Sequence, residues 1–139
     1  MEGVIGRHMK EFAFENGFRL EIIDESVNYY ADFWNLKLVV RGRAEISQEC
    51  LEDIVPTNSF EQMAKEALGD TVEYYREITQ IGVRERELKE NVARLLGDFE
   101  NNALPYLMKS SFPKMMVKKR WAELAEEIRR KHREKRKSK

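Results

Sequence analysis

Cysteine and histidine are nearly missing from this chain. Cys50 is the single cysteine, and His8 and His132 are the two histidines. One cysteine excludes an intrachain disulfide, and a Cys/His zinc site would be short of ligands. A Ser–His or Cys–His pair needs a histidine in the folded body to take the nucleophile's proton, and both histidines stand near the ends of the sequence. Glu49, Glu52 and Asp53 surround Cys50 with negative charge, which disfavours its thiolate, so Cys50 reads as a small apolar residue. No Gly-rich phosphate loop and no Asp-rich calcium loop is present. These absences leave no catalytic, metal-ligating or cofactor-binding residue to nominate, and the sequence leans away from an enzyme.

Long hydrophobic runs are also lacking. No stretch approaches the roughly 20 apolar residues that cross a bilayer, and no signal-peptide core opens the chain. With a single cysteine, this gives the expectation of a cytoplasmic protein. Gly6-Arg7-His8-Met9 resembles the scar of a cloning junction, so residues 1–8 are expected to be a vector remnant, with Met9 as the native start.

Charge is abundant and unevenly placed. The 139 residues carry 25 Lys/Arg and 25 Asp/Glu, a net of zero. Lys114 to Lys139 holds twelve Lys/Arg against four Glu, a net of +8, and the preceding residues hold thirteen against twenty-one, a net of −8. Such asymmetry suggests an interaction segment.

Apolar periodicity predicts an α+β fold. Phe18, Leu20 and Ile22 alternate with charged residues, and the same even phase returns from Trp34 through Val40 to Ala44 and Ile46. Period two with one wet face predicts antiparallel strands covered on one side. Asp24 to Asp32 is rich in turn residues and should bend the ribbon into a hairpin; Gly42 suggests a bulge in the second strand. Thr57-Asn58-Ser59 offers caps for a short helix over Phe60 to Leu68. Thr71 to Thr79 reads as a third strand with Val72, Tyr74 and Ile78 inward, a continuing helix being the competing reading. Leu88, Val92, Leu95, Leu96 and Phe99 make the apolar stripe of a helix from about Arg84 to Asn102. Ser110-Ser111-Phe112-Pro113 then starts a last helix, with Val117, Trp121, Leu124, Ala125 and Ile128 inward. The expectation is a small antiparallel sheet of about three strands, order ββαβαα, with long helices on its even-numbered face. Residues 9–128 would form one α+β domain. Beyond Ile128 no large apolar residue remains, so residues 129–139 should fray or extend as a solvated basic arm.

Two surfaces could bind a partner. Lys118, Lys119, Arg120, Arg129, Arg130, Lys131, Arg133, Lys135, Arg136 and Lys137 can neutralise phosphates of RNA or DNA and release counterions. An acidic protein surface is the competing partner, and the alternative function is a structural or protein-interaction module, self-association of basic arm with acidic body as a homo-oligomer being one form of it. The second surface is the odd-numbered sheet face, with Arg19, Lys37, Arg41 and Arg43, and with Tyr29 and Phe33 near the hairpin end. Glu21, Glu25 and Glu45 share it, and cross-strand ion pairing is the plainer reading there. The sequence thus points to a non-catalytic binding protein.

Overall fold

The computed structural model describes residues 7–137, with side chains through Arg136. The strands are β1 (Arg7–Ala13), β2 (Arg19–Asp24), β3 (Val27–Tyr30), β4 (Phe33–Glu45) and β5 (Thr71–Arg84). The helices are α1 (Gln48–Glu52), α2 (Ser59–Ala67), α3 (Glu85–Asn102), α4 (Leu104–Leu107) and α5 (Phe112–Lys137). The α+β class is as expected, but the sheet has five strands rather than about three, and the order is ββββααβααα.

β4 is the spine. β2 pairs antiparallel with its residues 38–43 and β3 with residues 33–35, while β5 pairs along its other side from Phe33 to Glu45. β1 pairs outside β2, which leaves β5 with β4 as its single strand neighbour. Residues 71–84 are therefore strand and not helix. Expected vector remnant 1–8 lies outside the described residues up to position 6, whereas Arg7 and His8 open β1. β1 escapes a strict period-two reading because its register slips between His8 and Lys10. His8 thus faces the same side as Ile23, and Lys10 the opposite side with Ile22.

The even-numbered face carries the core. Leu20, Ile22, Leu36, Leu38, Val40, Ala44 and Val72 join Val92, Leu96 and Phe99 of α3 and Phe112, Met116 and Val117 of α5 in one buried cluster. Lys10 sits on the same side and pairs with Glu100 of α3. The phase switches once in β5, where Leu36 faces Gln80 but Trp34 faces Val83. The extra residue is absorbed at Ile81 and Gly82, the latter at φ +75°, a conformation glycine adopts without strain. Val83 is thereby turned into the core.

Gly42 marks no bulge, because its register with both neighbours runs unbroken. It is small for another reason: a Cβ there would overlap the ring of Phe18, which is fully buried. Phe18 in turn meets Phe112 at 5.1 Å, Tyr74 at 5.9 Å and Phe14 at 6.0 Å between ring centroids. Its backbone N–H donates to Asn16 Oδ1 at 2.9 Å, and the Asn16 amide donates to the Leu107 and Lys109 carbonyls. The β1–β2 turn is thus tied to the chain entering α5.

Short helices fill the gap between β4 and β5. Ser47 caps α1 by accepting from the Cys50 N–H, and Asn58 caps α2 by accepting from the Glu61 N–H. α1 was not expected, since five residues carry too little periodicity to show it. Pro105 falls in the first turn of α4, just after α3 ends.

α5 differs most from expectation at its end. It continues as helix through Lys137, where a frayed or solvated arm is expected over residues 129–139; residues 130–136 are helical and exposed, and residues 138 and 139 lie outside the described residues. The Trp121 indole N–H donates to the Glu61 carbonyl at 2.8 Å, and His132 and Arg129 lie on the Phe60 ring at 5.5 and 5.7 Å. An imidazole and a guanidinium thus contact the Phe60 ring from this turn, although His132 stays exposed and Arg129 is only half-buried.

Gly42→Val is expected to destabilise the protein by about 1–3 kcal/mol through overpacking against Phe18. In urea unfolding, Gly42→Ala combined with Phe18→Leu should cost less than the sum of the two single changes.

Candidate functional site

α5 brings the first set of basic residues onto one continuous rod. At about 1.5 Å per residue, Lys118 and Arg136 are separated by roughly 27 Å along its axis. Lys118, Lys119, Arg120, Arg130, Lys131, Arg133, Lys135 and Arg136 are exposed, whereas Arg129 is half-buried against Phe60; Lys137 is helical and its side chain lies outside the described atoms. Helical spacing places Lys119 and Arg130 on nearly the same line, three turns apart.

Ion pairs divide this set. Arg120 lies 3.6 Å from Glu123 and 3.7 Å from Glu127, and Glu126 is 3.1 Å from Arg129 and 3.6 Å from Arg133. The three mid-helix glutamates are therefore already engaged by arginines of their own helix. Among the described residues, Lys118, Lys119, Arg130, Lys131 and Arg136 make no such pair. Lys114, at the other end of α5, is fixed to the body: it pairs with Glu49 at 3.0 Å and Asp53 at 3.5 Å, and those carboxylates raise its pKa.

The odd-numbered sheet face departs from expectation. Cross-strand ion pairing is made by Lys37, which lies 3.6 Å from Glu77 and 3.9 Å from Glu25. Arg19, Arg41 and Arg43 make none among the described residues, although Glu21 stands opposite Arg41 and Glu73 opposite Arg43. Arg19 and Arg43 are themselves direct partners across β2 and β4, so two like charges face one another on an exposed surface. The sequence shows both arginines on the right face, but the pairing of Arg19 with Arg43 depends on the hairpin offset, which period two alone does not set. Tyr29 and Phe33 come together at the hairpin end, 6.5 Å between centroids, and Arg84 lies over Phe33 at 4.8 Å.

Two clefts border the arginine pair. One, of about 630 Å³, lies toward the start of α5 and includes Asn16, Glu45, Ser110 and Lys114 in its wall. The other, of about 840 Å³, lies along the open sheet face with Arg41, Glu73 and Tyr75. Arg19 and Arg43 belong to both.

Titratable groups on this face form one coupled pair. The Tyr75 hydroxyl donates to Glu77 at 2.6 Å; that bond raises the tyrosine pKa above its ordinary value and lowers that of the carboxylate. Glu11 and Glu21 lie 3.5 and 3.9 Å from His8, and these three make the single cluster of metal-donor type among the described residues. All three are on the surface, and His8 belongs to the expected cloning junction. Cys50 is buried at 5% exposure beside its capping Ser47. No described helix is long and apolar enough to cross a membrane.

Comparison with known proteins finds no matching family model, no similar curated protein and no similar solved structure. The functional reading therefore rests on the chemistry of these surfaces.

Arg19→Glu should place a carboxylate opposite Arg43 and stabilise the protein by about 0.2–1 kcal/mol in urea unfolding. Replacing Glu77 with Gln removes the charge that holds the Tyr75 proton, so Tyr75 should ionise at lower pH. Ultraviolet phenolate titration, with Tyr75→Phe to identify the signal, reads the shift. For Glu77 the sign is the reverse: its bond favours the carboxylate, contributes above the ordinary carboxylate range and is lost as pH falls through the lowered folded value.

Proposed function

We propose that the protein is a non-catalytic binding protein whose α5 helix engages a polyanion, RNA or DNA being the best fit. The observation that carries this reading is the set of five cations, Lys118, Lys119, Arg130, Lys131 and Arg136, exposed on one helix without intramolecular ion pairs among the described residues. Three of the four helix glutamates, Glu123, Glu126 and Glu127, are occupied by Arg120, Arg129 and Arg133, whereas the exposed Glu134 makes no ion pair among the described residues and opposes a phosphate strand there. A rigid rod presents its charges at fixed intervals, so less side-chain and backbone freedom is lost on binding than with an unstructured tail.

Docking of α5 through Trp121, Arg129 and His132 changes which residues matter. Arg129 supports the helix; Lys119 and Arg130 lie on its outward line, with Lys118 and Arg136 on one flank and Lys131 on the other. Affinity of this kind comes from counterion release and carries little sequence preference.

Electrophoretic retardation of single-stranded and duplex oligonucleotides tests the reading. If all five cations contact duplex phosphates, log affinity falls with log salt at a slope of about −4.5. Lys118→Glu with Lys119→Glu, and Arg130→Glu with Lys131→Glu, should each weaken binding and flatten that slope. Absence of retardation at low salt, or retardation indifferent to both double variants, overturns the assignment. Light scattering on the same samples reports the alternative, in which the basic helix joins copies of the chain and the assembly dissociates as salt rises.

A further inference from the structure

We propose that Arg19 and Arg43 form a second, separate anion site, built to hold the phosphate of a small phosphorylated ligand. Three observations converge on it. Their Cα atoms are direct antiparallel partners, so the two guanidinium groups leave the same face of adjacent strands. Neither has a carboxylate within ion-pair distance among the described residues, although the face offers Glu45 and Glu73 on the same cleft walls. Both residues belong to each of the two clefts of about 630 and 840 Å³, so an anion between them has room for an attached group on either side.

The chemistry selects phosphate over a point anion. Two planar guanidinium groups supply several N–H donors in fixed geometry, which suits a tetrahedral dianion that accepts bidentate bonds from each. Like charges opposed across a strand pair destabilise the empty face, and a bound dianion converts that repulsion into two attractive contacts. Arg41 and the exposed Tyr75, which are register partners beside the pair, face the larger cleft and offer a cation and a ring to the remainder of the ligand. Among the acidic groups nearby, Glu49 is held by Lys114, whereas Glu73, the register partner of Arg43, and Glu45 make no ion pair among the described residues.

The site stands at the opposite end of α5 from its basic tip and does not depend on that helix binding nucleic acid. It is tested with the full chain by calorimetric titration and thermal melting in inorganic pyrophosphate, in AMP and in single-stranded oligouridylate, against chloride at equal ionic strength. Pyrophosphate and AMP should bind and raise the melting temperature. Arg19→Gln and Arg43→Gln should each lose about 10-fold or more in affinity, while melting no lower than the parent without ligand. Lys118→Glu with Lys119→Glu should leave pyrophosphate binding unchanged. The proposal is overturned if pyrophosphate does not bind, if the arginine variants bind it as well as the parent, or if the helix variant alone loses it. Arginine-dependent binding of oligouridylate without binding of pyrophosphate or AMP also overturns it, and gives this face to a nucleic-acid strand instead.

Discussion

The ring of Phe18 lies against the bare backbone of Gly42, and much of the molecule is arranged around that contact. Because Gly42 offers no side chain, the ring can descend onto β4 and still reach Phe112 at the start of α5 and Tyr74 on β5. One residue thereby fixes three elements distant in sequence. The Asn16 amide secures the same corner from outside by binding the carbonyls of Leu107 and Lys109. The entry of α5 is set there, and so is the direction in which its basic residues leave the body.

Much of this architecture is legible in the sequence where a single period persists. Phe18, Leu20 and Ile22, and Leu36, Leu38 and Val40, keep their even phase, and all six are buried on the helix side. The stripe from Leu88 to Phe99 likewise marks α3 within a residue of its start. Legibility fails where the backbone changes phase. The slip near Met9 hides β1, and the extra residue at Ile81–Gly82 turns Val83 inward against the parity of Val72 and Tyr74. β3 is hidden by its length of four residues and by four exposed side chains, which give no amphipathic signal. Gly42 was legible as a special position but not as the right kind, since the ring that requires it stands 24 residues earlier, across a strand pair.

The candidate surfaces show the same division. Composition places the cations on α5 and on the odd-numbered face, and they are there. What composition cannot show is which charges are already answered. Glu126 serves both Arg129 and Arg133, and Lys37 serves both Glu25 and Glu77, whereas Arg19 faces Arg43 across the strand pair. A net charge of zero thus conceals two unlike situations: an end of a helix where cations outnumber carboxylates, and a patch of sheet where carboxylates are near but unpaired with the arginines. Arg129 is a third case, a cation used for packing, its guanidinium laid on Phe60.

β5 carries a consequence of its own. Its 14 residues pair with β4 on one side only, so the other side presents a row of backbone donors and acceptors to any extended chain that approaches. Glu73, Arg76 and Glu77 stand exposed in its middle, and the kink at Ile81–Gly82 twists its far end out of line. Charges and an irregular backbone on a margin of this kind discourage edge-to-edge growth. The glycine that turns Val83 into the core therefore also helps keep one molecule's sheet from becoming the template for the next.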